Sequence, residues 1–182
     1  MSSLKVDTIT DRSGNSIPYM KGAVLQVKYF QLTTSQTETY GTADNDQAIT
    51  NFVVNITPKS ASSIIKLEAN VMYESENATW STIWFFFRNS TKLANTQGSV
   101  GSRKIGIASA AISYYASEDA STVEMLHMGY FDAPNTTSEI AYKLGVNTTG
   151  TNNFFINRTI SDTDNNGYER GVSFISATEI GG

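Results

Sequence analysis

The chain has 182 residues with no cysteine, one histidine, and a formal net charge of −4 from 13 Lys/Arg against 17 Asp/Glu. These totals exclude a disulfide framework, thiolate metal centres and a cysteine nucleophile, and they leave no basic footprint for nucleic acid or anionic lipid. A chain of this length can bury roughly 70% of its unfolded surface without staples, and its many Phe, Tyr, Thr and Asn with only 3 Pro suit an all-β protein with polar loops.

No run of 18 apolar residues occurs, so no membrane insertion is expected, and no signal-peptide core opens the sequence. In residues 1–22, Leu4, Val6 and Ile9 alternate with polar neighbours, Asp11 to Asn15 reads as a turn, and Ile17-Pro18 leads to Gly22. That is too little apolar content for an independent fold. The segment is expected to lie extended on something larger, with Leu4, Val6, Ile9 and Ile17 as its contacts, and the body begins at residue 23.

Val24 to Phe30 reads as a strand with Leu25, Val27 and Tyr29 on one face, and the polar residues 31–51 read as a long loop with short extended pieces. The most regular stretch follows. Ile65, Leu67, Ala69, Val71 and Tyr73 alternate with Lys66, Glu68, Asn70, Met72 and Glu74, the period of a half-buried strand. Phe52, Val54 and Ile56 alternate likewise. The residues between, Pro58 to Ser63, cannot all join a ladder, so the stretch reads as a β-hairpin.

Ile83 to Phe87 breaks this pattern, being apolar on both faces. In a two-layer sandwich Trp84 and Phe86 would expose about 300–400 Å², near the limit for a soluble monomer. The expectation is that another copy of the chain covers them, making Trp84 and Phe86 an oligomer interface. A loop of the same chain is the competing cover.

A turn at 89–91 and a short strand near Leu93 come next, and residues 103–117 read as interrupted extended chain. Strands follow at Val123 to Phe131, Glu139 to Val146, Phe154 to Asn157 and Gly171 to Ile180. About nine strands and no convincing helix point to an antiparallel sandwich or jelly roll.

Sequence patterns offer little chemistry. His127 lies mid-strand between methionines, without a nucleophile motif. The acids are scattered over turns, so hydrolysis by a carboxylate pair is a remote alternative. Asp162 to Gly167 matches the first half of a calcium loop, but Ser173 stands where the bidentate glutamate belongs. Trp80, Tyr114 and Tyr115 could stack on sugar rings, or pack over strand ends. No catalytic residue, cofactor or metal ligand is assigned.

The order of several short pieces resembles fibre and appendage proteins of tailed phages, notably those of marine cyanobacteria. They are Leu4 to Thr10, Gly22 to Val27, Ile56 to Leu67 (ITPKSASSIIKL), Tyr142 to Val146, Phe155 to Arg158 and Arg170 to Ile180. The resemblance implies a homotrimeric jelly-roll head, similar to tumour-necrosis-factor and C1q heads, on an N-terminal segment that binds other virion proteins. It implies a virion location, with host-surface polysaccharide as a candidate ligand. A capsid decoration protein that binds no receptor is the alternative, and a carbohydrate-active enzyme a more distant one.

Overall fold

The computed structural model describes residues 12–13, 21–76, 81–94, 101–109 and 121–182. In chain order the strands are β1 (Val24–Leu32), β2 (Gln36–Tyr40), β3 (Gln47–Ile56), β4 (Ile64–Ser75), β5 (Ile83–Arg88), β6 (Thr91–Lys92), β7 (Ala108–Ser109), β8 (Glu124–Asp132), β9 (Ile140–Asn147), β10 (Asn152–Ile156) and β11 (Ser173–Ile180). Among the described residues there is no helix.

The strands form two antiparallel sheets. In the first, β1, β11, β4 and β8 lie side by side, and β10 and β2 continue from the C-terminal end of β4 on the β11 side. The second has the order β3-β9-β5-β6, with β7 also on β5. The chain crosses between the sheets at β2–β3, β3–β4, β4–β5, β7–β8, β8–β9 and β9–β10, giving a jelly-roll-like sandwich. The all-β, two-sheet class read from the sequence is thus the one observed.

The alternating faces set the core. Ile65, Leu67, Ala69, Val71 and Tyr73 of β4 are buried, and so are Ile140, Tyr142, Leu144 and Val146 of β9 and Phe52, Val54 and Ile56 of β3. The hairpin reading of residues 52–73 is corrected. β3 pairs with β9 in the second sheet, while β4 sits in the first between β8 and the β11/β10 edge. The Pro58–Ser63 turn therefore spans the two layers. Both apolar faces then meet across the core, and each strand is free to pair with other partners. The short extended pieces expected within 31–51 are β2 and the start of β3.

Trp84 and Phe86 are corrected as well. Neither retains any exposure in the single chain. Trp84 packs against Tyr73 and Phe154, with ring centroids 5.2 and 5.4 Å away. Both therefore belong to the core between the sheets, not to an oligomer interface. Phe85 points the other way and is equally buried. The Lys92 ammonium sits 4.1 Å from its ring centroid and Phe87 lies edge-on at 5.1 Å. Gly145 makes the room beneath it, since a Cβ there would collide with the Phe85 ring. The chain hides this strand by itself.

Buried polar groups pin the loops to this frame. Glu74 accepts from the Thr122 N–H (2.6 Å) and hydroxyl (2.7 Å) and from the Ile160 N–H (2.6 Å). Glu179 accepts from the Lys59 N–H (2.7 Å) and the Gln26 amide (2.6 Å). Asn157 donates to the Leu32 carbonyl (2.7 Å) and accepts from the Ser173 hydroxyl (2.5 Å). Each satisfies groups that would be costly to leave unpaired.

Candidate functional site

Two surfaces stand out, and the sequence pointed to neither by residue. The first is the outer face of the β1-β11-β4-β8 layer. Among the described residues, the large apolar side chains left exposed are Val24, Val27, Tyr29, Ile64, Met125, Phe131 and Val172. Strand register places the first six on one face. Val27 and Tyr29 flank Thr178 and Ser176, which neighbour Lys66 and Glu68, and these neighbour Phe131 and Gly129. Met125 stands opposite Met72, and Val24 and Ile64 both pair with Ile180. Val172 lies at the margin, just ahead of β11. In the middle of the face, Lys66 and Glu68 neutralise each other at 2.8 Å. His127 is exposed on the same face, opposite Asn70.

The second surface is a polar cleft of about 820 Å³ on the outer side of the second sheet, at the ends of β5 and β9. Asn147 is its hub. Its amide donates to the Asp46 carboxylate (2.9 Å) and the Asp44 carbonyl (3.1 Å), and its oxygen accepts from the Lys104 ammonium (2.8 Å). Lys104 also pairs with the Asp44 carboxylate, and that hydrogen bond holds the Asp44 carboxyl below its ordinary value. Lys92 reaches from above Phe85 to Asp46 at 2.8 Å. Thr149 and Ser102 add hydroxyls to the walls, and Ile83 and Ile105 an apolar patch. The signal that could have found the cleft is the Asp44-Asn45-Asp46 turn, with Asp44 at a φ of 60°.

The cleft lies at the far end of the sandwich from the entry of the chain. Gly22 donates to Gly181 and Gly181 to Ala23 (2.7 and 2.9 Å), clasping the start of β1 to the end of β11. Those strand ends adjoin the start of β4, whereas Asn147 and Ile83 adjoin the opposite ends of β9 and β5. A strand of 12 residues such as β4 separates the two ends by roughly 35–40 Å.

The other candidates named from the sequence do not converge. Leu4, Val6, Ile9 and Ile17 lie outside the described residues, as do Trp80, Tyr114 and Tyr115. Asp162 forks its carboxylate onto the Arg170 guanidinium (2.7 Å from both Nε and Nη2), and Asn165 caps the Gly167 N–H at 2.9 Å. The half-calcium motif is therefore an ion-paired turn. Among the described residues no three acidic or histidine groups cluster to share a cation.

No protein-family model matches the chain, and no curated protein matches it. Among solved structures, the VP2 subviral particle of infectious bursal disease virus aligns with a TM-score of 0.37 and 10% identity. The alignment covers all of this chain but 46% of that protein, so this chain spans less than half its length. An overlap that loose says nothing about function, and the jelly-roll-like description rests on strand order alone.

Proposed function

We propose that the protein is a non-enzymatic structural component of a virus particle. It would be a homotrimeric short fibre or spike of a tailed phage, attached through residues 1–22 and carrying a jelly-roll head at residues 23–182. The observation that carries this reading is the apolar outer face of the first sheet. From the ordinary areas of such side chains, the seven residues together expose on the order of 700 Å², spread over four strands among Thr178, Ser176, Lys66 and Glu68. A stable interface uses about 800 Å² per partner. Because Lys66 and Glu68 neutralise each other, a partner need not bring complementary charge. Identical copies fit that condition, and a cyclic arrangement closes on itself without forming filaments.

Trimer packing through this face keeps the clasped ends of β1 and β11 together, so three N-terminal segments would leave the head at one end. The virion role is supported by the sequence resemblance. Its later pieces fall on β3–β4, β9, β10 and β11, strands of both sheets.

The test is mass in solution by light scattering at micromolar concentration. Three chains per particle is expected, falling to one in Phe131→Asp with unchanged far-ultraviolet circular dichroism. A single-chain mass for the unaltered protein overturns the proposal.

A further inference from the structure

We infer that His127 makes association through the outer face of the first sheet sensitive to pH, holding copies together near neutrality and releasing them in mild acid. The inference rests on the proposed trimer for its partner; the place and surroundings of the histidine come from the structure.

His127 stands on β8 two residues after Met125 and four before Phe131, so all three side chains leave the strand on the same face. Met125 is 58% and Phe131 62% exposed, and His127 is exposed between them. Six residues of strand span about 20 Å. A partner that covers both apolar ends has to cross the imidazole. Across the sheet the same row runs through Asn70 of β4, Phe174 of β11 and Gln31 of β1, and none of these carries a charge.

The charged groups around it cancel among the described residues. On β4, Lys66 and Glu68 share the face and pair with each other. Glu74, farther along β4, is buried and engaged by Thr122 and Ile160. On β8 itself Gly129 is uncharged, and Glu124 sits opposite the core residue Tyr73 on the other side of the sheet. β7, which also lies near β8, brings Ala108 and Ser109. Lys28 of β1 pairs with Ala177, again on the core side. The face is therefore neutral while the imidazole is neutral, and carries one positive charge per chain once it is protonated.

Histidine is the side chain that ordinarily changes charge between pH 5 and 8. In a closed trimer each copy brings the same residue, so protonation puts three like charges into one assembly. If the imidazolium draws Glu68 to itself across the β4–β8 diagonal, Lys66 is left unmatched and the surplus is the same. A desolvated charge without a partner is costly. The single chain consequently binds the proton more readily than the assembly does. Association is complete above the ordinary imidazole range, near about 6.5, and weakens as pH falls through it, by up to about tenfold per chain for each pH unit.

The experiment is light scattering on the full chain from pH 8 to pH 5, at the lowest concentration that gives three chains at pH 8, with far-ultraviolet circular dichroism on the same samples. The expected mass falls from three chains to one by pH 5 with unchanged dichroism, and recovers on return to pH 8. His127→Gln should keep three chains throughout, and His127→Lys should give single chains even at pH 8. A trimer that persists at pH 5, His127→Gln dissociating in parallel with the unaltered protein, or dissociation that follows loss of the dichroism signal overturns the inference. The two readings fail differently: a single chain at pH 8 removes the trimer and this inference with it, whereas three chains at both pH values remove the inference alone.

Discussion

Replacing Trp84 by alanine separates a core role from an interface role. Trp84 has no exposure and packs in a cluster with Tyr73 (tilted) and Phe154 (edge-to-face), its centroid distances being 5.2 and 5.4 Å. Truncating a large aromatic in a packed core costs about 3–5 kcal/mol, from lost transfer energy plus the cavity left behind. That is a large share of a total stability of about 5–15 kcal/mol. At roughly 2–4 °C per kcal/mol for a domain of this size, the melting temperature should drop by about 6–20 °C. The assay is urea and thermal unfolding at one fixed protein concentration, run beside light scattering, because association also shifts apparent stability. Trp84→Ala should lose stability while its folded fraction keeps the mass of the unaltered protein. Phe131→Asp should do the reverse at the level of the single chain, since 62% of Phe131 is exposed and surface changes stay within about 0.5 kcal/mol. If Trp84→Ala dissociates the protein without lowering the unfolding midpoint, the placement of Trp84 in the core is wrong.

Two further outcomes follow from buried polar groups. Burial pushes the Glu179 carboxyl up, but hydrogen bonds from Gln26 and from the Lys59 and Ser60 N–H groups outweigh it, leaving the carboxyl below its ordinary value of 4.5. Its stabilisation is therefore complete above that value and is lost as pH falls through the lower folded one, so acid unfolding in Glu179→Gln should depend less steeply on pH. Tyr142 donates its hydroxyl to Asp132 at 2.7 Å, and Arg88 meets the same carboxylate at 3.0 Å, tying β9 and β5 of one sheet to β8 of the other. Burial, reinforced by the Asp132 carboxylate, raises the Tyr142 pKa, so the phenol keeps its proton and goes on donating in alkali. Tyr142→Phe should cost about 1–2 kcal/mol in denaturant titrations; an unchanged midpoint would show the bond to be dispensable.

Much of the fold was legible in local patterns. Period-two alternation placed β4 and β9 almost to the residue, because one buried face demands an unbroken apolar series. Loops also fell where Gly, Pro, Asn and Asp gathered. The patterns misled where the covering group is distant in sequence. Trp84 and Phe86 read as the outward face, yet they face the other sheet, where Tyr73 and Phe154 pack on Trp84. Phe85 is the one that turns outward, covered by Lys92 and given room by Gly145, and nothing in Ile83 to Phe87 announces either. Met72 and Glu74 likewise alternate outward, yet both are buried. The Thr122 and Ile160 N–H groups bond to Glu74, and Gly171 packs against Met72.

By itself, then, the sequence determined the spans and the buried faces of the cleanly alternating segments, the second half of β3, β4 and β9, since these follow from side-chain spacing along one strand. Only the tertiary structure decided that β3 and β4 belong to opposite sheets, that Trp84 and Phe86 are interior, and that Val27, Tyr29, Met125 and Phe131 share an open face. Those outcomes depend on which strands lie next to each other. Pairing is chosen by burial summed over both layers, a quantity that no single segment contains.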